Sequence, residues 1–178
     1  MTAIIVHGGA GQLEPERHER VRAGVRAAAV AGDAVLVAGG SALDAVTAAV
    51  RILEDDPEFN AGTGAALTRD GTVEADASIM CGATYRVGAV AAVPDLGNAI
   101  ALARAVLERG EHVLLAGAAA WAFAAEVGIA PAPPGSLITE RARKKLEAQG
   151  TVGACARDRD GRFAAATSTG GISGKRPG

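Results

Sequence analysis

Hydrophobic positions along the chain follow two different spacings, and together these predict a mixed α+β protein. Helical spacing predicts four helices, over residues 15–31, 41–53, 98–108 and 118–127. Pro15 suits the first turn of the first helix and Gly32 is expected to end it, while Ser41 and Asp44 predict a capping box at the start of the second. Apolar runs predict strands at 3–6, 87–93 and 113–116. The first and last of these strands are expected to be buried.

Turn signals between the remaining apolar runs predict two hairpins. The hairpins pair 65–67 with 73–80 across Asp70-Gly71, and 151–156 with 162–169 across 158–161. Cys155 is expected to face inward as a small buried hydrophobe. Residues 138–149 are expected to form a charge-rich amphipathic helix or tail. Because hairpins exclude a purely parallel sheet, the pattern predicts sheets covered by helices.

Composition and charge narrow the possible functions. The chain has 178 residues, enough for a single domain, of which 49% are apolar and only 3% aromatic. A net charge of −2 without a run of Lys or Arg argues against a nucleic-acid partner. No signal-peptide pattern and no membrane-spanning stretch is present, so we expect a cytoplasmic protein without a membrane partner. Cys81 and Cys155 have no partners at metal-ligand spacing.

The most informative chemistry lies at Gly150 and Thr151. A small residue, a hydroxyl residue and then a small/apolar strand are what a hydrolase needs if it cuts itself to expose an N-terminal threonine. Cleavage between Gly150 and Thr151 would leave a hydroxyl and a free α-amine on one residue. Because such an amine titrates at about pH 7.7–8, it can accept the hydroxyl proton near neutral pH. One residue would then supply both nucleophile and base.

A second hydroxyl is expected beside the first. In a hairpin closed at 158–161, Thr151 and Thr169 lie near the same end of neighbouring strands, which are about 4.8 Å apart. Thr169 would orient Thr151 and relay its proton, and Gly170 and Gly171 would leave room for a ligand. The alternative is a Thr-rich edge strand that ends in a glycine turn.

Other motifs support less specific hypotheses. A Ser-His-Asp hydrolase needs a histidine near its nucleophile, and a structural role is favoured for each of the three histidines. The glycine-rich run 7–11 does not fit the nucleotide-binding patterns, which disfavours a nucleotide-binding domain. Asn60 either lies in a simple turn or offers its amide to the carbonyl that joins Gly150 to Thr151. The acidic run 54–56 is either a solvated charge cluster or part of a carbonyl loop that holds a cation.

In its series of motifs the chain resembles the plant-type L-asparaginase/isoaspartyl peptidase family, which are N-terminal nucleophile hydrolases of the threonine type. The matching elements stand in the family's order at 7–11, 40–46, 53–62, 74–80, 151–154 and 164–171. Any one of these elements alone would be weak evidence, but the ordered series covers nearly the whole chain and is highly specific.

The resemblance implies a four-layer αββα sandwich, made as a precursor that is one domain. Residues 1–150 would form the α-subunit part and 151–178 the start of the β-subunit, assembled as a homodimer of processed units. The implied reaction is hydrolysis of L-asparagine and β-aspartyl dipeptides. Thr151 matches the nucleophile, Thr169 the assisting threonine and Asn60 the asparagine beside them. The implied near-site glycines are Gly9, Gly170 and Gly171.

The only cofactor that the resemblance implies is a structural sodium ion. Residues 53–63 match the family's sodium-binding loop, which uses mostly main-chain oxygens. The candidate ligands are Leu53, Glu54, Asp56, Phe59, Ala61 and Thr63.

The family's sequence continues beyond the segment that matches the last residues of this chain. There Lys175–Gly178 would be followed by Arg-Val-Gly-Asp, which holds the substrate, then by an oxyanion-hole Thr-Gly pair and further strands. These groups are absent from the 178 residues, so the sandwich is expected to be incomplete. Two hypotheses stay open: a self-processed amidohydrolase, or an uncleaved and inactive precursor-like fragment with only an assembly role.

Overall fold

The computed structural model describes residues 1–11, 13–144 and 150–178. Their central element is a mixed six-stranded sheet. The strands are β1 (Ala3–His7), β2 (Glu74–Cys81), β3 (Arg86–Pro94), β4 (Leu114–Ala116), β5 (Val152–Arg157) and β6 (Phe163–Thr169). The helices are α1 (His18–Val37), α2 (Ala42–Asp55), α3 (Ala99–Arg109), α4 (Gly117–Glu126) and α5 (Glu140–Lys144), with a 3-10 turn at Pro15–Arg17 before α1. The predicted α+β class is confirmed.

The strand order, β1-β5-β6-β2-β3-β4, brings distant segments together. Neighbouring strands are antiparallel except β3 and β4, which are parallel and are joined through α3. The predicted hairpin of β5 and β6 is confirmed, whereas the other predicted hairpin is reduced to one bridge, Leu67 with Val73, ahead of β2. Since β1 pairs with β5, His7 lies opposite Gly153. This pairing places the glycine-rich run 7–11 next to Gly150 and Thr151.

Helices α1, α2 and α3 cover one face of the sheet and build the core with it. The predicted capping box of α2 is present: the Ser41 hydroxyl accepts from the Asp44 amide at 3.1 Å, and the Asp44 carboxylate accepts from the Ser41 amide at 3.2 Å. Small side chains line the contacts, among them Ala45, Ala49 and Ala103, each 0% exposed. The backbones of helices and strands therefore approach closely.

Within the described part of the chain, the other face of the sheet is open. Ile5, Cys155, Ala165, Met80 and Val87 form a row across five strands because their strands pair in register. Ile5 in this row is 71% exposed, and a shallow groove of about 610 Å³ runs along it. Of the layers in an αββα sandwich, the described residues supply one sheet and the helices on one of its faces.

Gly32 does not end α1, which continues to Val37, so that prediction is wrong. A Cβ atom at position 32 would lie 2.9 Å from the Ala45 carbonyl oxygen of α2. The glycine is therefore needed for the close approach of two helices rather than for helix termination.

Three predictions of burial are also wrong. Cys155 is exposed on the open face of the sheet. The apolar runs at 3–6 and 113–116 form β1 and β4, which are the two edges of the sheet rather than buried strands, and Leu114 of β4 is 56% exposed. An apolar run predicts a strand but does not reveal the strand's place in the sheet.

The predicted helix or tail at 138–149 is only partly described. Glu140–Lys144 are helical, and residues 145–149 lie outside the described residues. None of the helices in the described ranges is long and apolar enough to cross a membrane.

Candidate active site

Gly150 lies against the turn that follows β1. Its φ is +138° and that of Gly9 is +117°, both in the region that favours glycine. A Cβ atom on Gly150 would stand 3.5 Å from the Gly9 Cα, so the two glycines face each other. The backbone of the Gly150–Thr151 bond is therefore held next to the first glycine turn, and Gly9 lies where the sequence analysis expected a near-site glycine.

The Asn60 amide reaches the carbonyl of Gly150. Asn60 follows α2 and is only 8% exposed, and its Nδ2 donates to the Gly150 oxygen at 2.8 Å and to the Gly171 oxygen at 2.7 Å. Its Oδ1 accepts from the Ala66 amide at 2.7 Å. Because a backbone N–H can only donate, this last bond fixes which end of the side chain faces the two carbonyls. Of the two interpretations left open for Asn60, the structure has the contact with the Gly150 carbonyl.

Thr169 supplies a second donor to the same oxygen. Its Oγ1 donates to the Gly150 carbonyl at 3.0 Å and accepts from the Gly171 amide at 2.9 Å. The expected bond joined the Thr151 and Thr169 hydroxyls, whereas the Thr169 hydroxyl donates to the carbonyl before Thr151. Two donors on one carbonyl oxygen would stabilise negative charge there if a nucleophile added to its carbon.

Thr151 stands directly before β5 and is exposed. Its carbonyl oxygen lies 2.9 Å from Nδ1 of His7, at the end of β1. The next carbonyl, that of Val152, accepts from Oγ1 of Thr167 at 3.0 Å. Sequence reasoning missed both contacts, since it favoured a structural role for His7 and assigned none to Thr167. The position of His7 at a strand end, directly before the glycine turn, was the available signal.

The two glycines after Thr169 differ in their surroundings. Gly171 has a φ of +73° and presents its carbonyl to Asn60. A Cβ atom on Gly170 would lie 2.7 Å from the Ala66 nitrogen, so this glycine permits close packing of two backbone segments. The space expected for a ligand at Gly170 is therefore filled by Ala65 and Ala66.

Glu54 is a carboxyl group with 0% exposure, close behind this site. Its Oε1 accepts from the Ser168 hydroxyl at 2.6 Å and from the Ile100 amide at 3.0 Å. Its buried Oε2 has no hydrogen-bond partner among the described residues. Burial raises the pKa of Glu54 to about 8, against the opposing effect of the Ser168 hydrogen bond. Glu54 is thus not part of a solvated charge cluster.

The loop after α2 gathers main-chain oxygens. A Cβ atom on Gly62 would lie 2.5 Å from the carbonyl oxygen of Glu54, with the Gly97 carbonyl also in contact. The Asp56 carboxylate is held by Arg20 at 2.6 and 2.8 Å, which leaves main-chain oxygens as the available ligands. Within the described ranges no three His, Cys, Asp or Glu side chains are placed to hold a metal ion. A cation held by this loop would therefore have to be bound by main-chain oxygens, and the Glu54 carbonyl among them already accepts from the Thr63 amide at 2.8 Å.

Comparison with known proteins identifies the family. A family model described as asparaginase matches residues 1–149 and 145–178. The chain belongs to this asparaginase family. The isoaspartyl peptidase/L-asparaginase of Bos taurus is 48% identical over 191 residues, and the match covers 98% of this chain and 62% of that protein. The corresponding protein of Homo sapiens is 47% identical, with 98% and 62% covered. The isoaspartyl peptidase of Salmonella typhimurium is 43% identical, with 98% and 64% covered.

Membership of the asparaginase family was predicted from the ordered motifs and is confirmed. The chain spans about 62% of the length of its first two named relatives. The site geometry brings Asn60, Gly150, Thr151 and Thr169 together, with Gly9 and Gly171 in contact with them. The catalytic roles of these residues remain predictions.

Proposed function

We propose that this protein cuts itself between Gly150 and Thr151 and then hydrolyses L-asparagine and β-aspartyl dipeptides. One observation carries the proposal. The Asn60 amide and the Thr169 hydroxyl both donate to the Gly150 carbonyl oxygen, and the next residue, Thr151, carries a hydroxyl group. The names of the relatives, isoaspartyl peptidase and L-asparaginase, support the same substrates.

Self-cleavage begins when the Thr151 Oγ attacks the Gly150 carbonyl carbon. Negative charge then develops on the oxygen that already accepts from Asn60 and Thr169, and these donors stabilise it without reorganising. The C–N bond breaks, its nitrogen takes up the proton that the hydroxyl gives up, and an ester joins Gly150 to the Thr151 oxygen. Water hydrolyses this ester, which leaves a carboxylate on Gly150 and a free amine on Thr151.

In the processed enzyme the new α-amine of Thr151 acts as the base. It takes the proton of the Thr151 hydroxyl, whose oxygen attacks the side-chain amide or isopeptide carbonyl of the substrate. The C–N bond breaks, and ammonia or an amino acid leaves with the transferred proton. Water then hydrolyses the aspartyl ester on Thr151. Asn60 and Thr169, freed from the departing Gly150 carbonyl, are placed to orient the nucleophile.

A sodium ion bound to the loop would be structural in this proposal. Its ligands would be main-chain oxygens of Leu53, Glu54, Phe59, Ala61 and Thr63, with the main chain of Asp56 as a further candidate. A cation there would bind to the main-chain carbonyl oxygens of the loop, and so hold Asn60 at the site.

We also propose a homodimer of processed units. Its only substrates would be small amino acids or dipeptides, and neither nucleic acid nor membrane would be a partner.

The second candidate is an uncleaved, inactive precursor-like chain with only an assembly role. One observation favours it: within the described residues the sheet has an open apolar face. An assembly role predicts one uncut mass and an oligomer that forms without any hydrolysis.

Intact mass spectrometry of purified protein during prolonged incubation separates the two candidates. The enzyme proposal predicts two pieces, one ending at Gly150 and one starting at Thr151, with no splitting in a Thr151→Ala variant. Ammonia release from L-asparagine should follow the appearance of the pieces. One uncut mass in both samples, together with no ammonia, would leave the assembly role.

A further inference from the structure

Two side chains from different strands contact main-chain carbonyl oxygens at the start of β5. His7 of β1 contacts the Thr151 carbonyl oxygen through Nδ1 at 2.9 Å, and Thr167 of β6 donates to the Val152 carbonyl oxygen at 3.0 Å. These are the first two carbonyls after the proposed cleavage point. Each belongs to the backbone that carries the nucleophile, and neither contact has a part in the function proposed above.

Gly153 lies between the two side chains in the sheet. In the sheet it pairs with His7 on one side and with Thr167 on the other, and all three line the groove on the open face. A Cβ atom on Gly153 would stand 3.0 Å from the Ala166 carbonyl oxygen and 3.9 Å from the Thr167 Cβ. His7 and Thr167 thus flank Gly153 on the two neighbouring strands, and each hydrogen-bonds to a carbonyl that precedes it.

The His7 contact requires a hydrogen on Nδ1. A carbonyl oxygen only accepts hydrogen bonds, so Nδ1 must carry a hydrogen for the bond to form. In the neutral imidazole this is the Nδ1–H tautomer, which leaves Nε2 without a proton. The contact is therefore directional, and it can be detected independently of any catalytic reaction.

Fixing these carbonyls matters most once Thr151 is a terminus. A first residue has no preceding peptide bond, so the positions of its amine and side chain relative to β5 depend on its ψ angle. A donor on its own carbonyl oxygen restrains that angle, and a donor on the next carbonyl restrains the following peptide plane. Misplacing a reacting group by about 1 Å can cost on the order of 100-fold in rate.

We propose that His7 and Thr167 are positioning residues, which hold the Thr151–Gly153 backbone so that the Thr151 hydroxyl faces the carbon it attacks. This inference rests on the proposed function of Thr151. It assigns to His7 no proton transfer and no contact with substrate.

Paired substitutions test the inference in the full protein. His7→Asn keeps a donor near the Nδ1 position, whereas His7→Leu has similar size and no donor. Thr167→Ser keeps the hydroxyl and Thr167→Val removes it. Cys155→Ser changes a residue of the same open face and serves as the matched control. Splitting is followed by intact mass, kcat and KM are measured on the cleaved enzyme, and thermal unfolding is recorded for every variant.

The donor-free variants should split about 10–100-fold more slowly than wild type and show a similar drop in kcat, with KM changed less than about threefold. The donor-keeping variants and the control should stay within about threefold. The inference is wrong if the donor-free variants match wild type, or if the donor-keeping variants are as slow as the donor-free ones at equal unfolding temperature.

A nitrogen-15 spectrum of the histidine rings keeps the inference separate from the proposed function. The spectrum is taken on the Thr151→Ala protein, and the His7 signal is assigned by its loss in His7→Asn. We expect a hydrogen on Nδ1 of His7, and a ring that carries its hydrogen on Nε2 alone would overturn the inference. If wild type never splits, the proposed function fails and the tautomer alone decides whether the His7 contact exists.

Discussion

Replacing Glu54 by Gln should change how stability depends on pH. Burial raises the pKa of this carboxyl from 4.5 to about 8, so the folded state favours the protonated form. Its contribution to stability is complete below about pH 4.5 and is lost as the pH rises toward about 8, because ionisation becomes favourable only in the unfolded chain. Gln has the same shape, keeps the acceptor for Ser168 and Ile100, and cannot ionise.

The magnitude follows from the two pKa values. Each pH unit between them costs about 1.36 kcal/mol, and integrating from about pH 5 to about pH 8 gives a loss of roughly 3–4 kcal/mol. All other titrating groups are common to both proteins and cancel in the difference. The free energy of unfolding of Glu54→Gln relative to the unsubstituted protein should therefore rise by roughly 3–4 kcal/mol over this range.

Urea unfolding followed by far-ultraviolet circular dichroism measures this difference at several pH values. Both proteins should carry Thr151→Ala, so that neither can split, and the buffer should be free of sodium, since a cation in the loop would add its own charge. Glu111→Gln makes the same change at an exposed carboxylate and provides the control. Parallel curves for the protein with Glu54 and for its Glu54→Gln variant, with a constant gap between them, would refute the argument that burial keeps this acid protonated.

Three further outcomes are expected. Gly32→Ala should destabilise the fold by about 1–3 kcal/mol in urea unfolding, because its Cβ would lie only 2.9 Å from the Ala45 carbonyl oxygen. As a control, Val30→Ala on the exposed side of the same helix should change stability by less than about 1 kcal/mol. Asn60→Ala removes a donor from the Gly150 carbonyl and should slow splitting by about 100-fold or more, measured by intact mass. Sodium chloride should raise the unfolding temperature above that in choline chloride of equal ionic strength, and equal temperatures would contradict a sodium site.

The sequence was informative wherever one local rule decides the structure. The capping box at Ser41 and Asp44 follows from spacing alone, and the β5–β6 hairpin follows from its turn residues. The register of that hairpin then places Thr151 and Thr169 at the same end. Most of the candidate site could therefore be predicted, because its parts are close in sequence or belong to one ordered set of motifs.

Features that depend on distant packing were not predictable in this way. Gly32 has the sequence signature of a helix end, and only the presence of a second helix shows why it lies inside one. The pairing of β1 with β5 joins residues about 150 positions apart, and without it neither the edge position of β1 nor the contact of His7 with Thr151 can be inferred. Glu54 belongs to an acidic run that is typical of a surface loop. It can nevertheless be buried, because the Ser168 hydroxyl and the Ile100 amide donate hydrogen bonds to its carboxyl group.

The abundance of alanine where helices meet the sheet restricts how this protein can change. Ala45, Ala49 and Ala103 are completely enclosed, and neighbouring backbones fill the volume that larger side chains occupy in other cores. Adding even two methyl groups at such a position forces main chains apart, at a typical cost of about 1–3 kcal/mol. We therefore expect natural variants at these positions to be confined to glycine, serine and alanine. Residues on the solvent side of the same helices should vary much more widely.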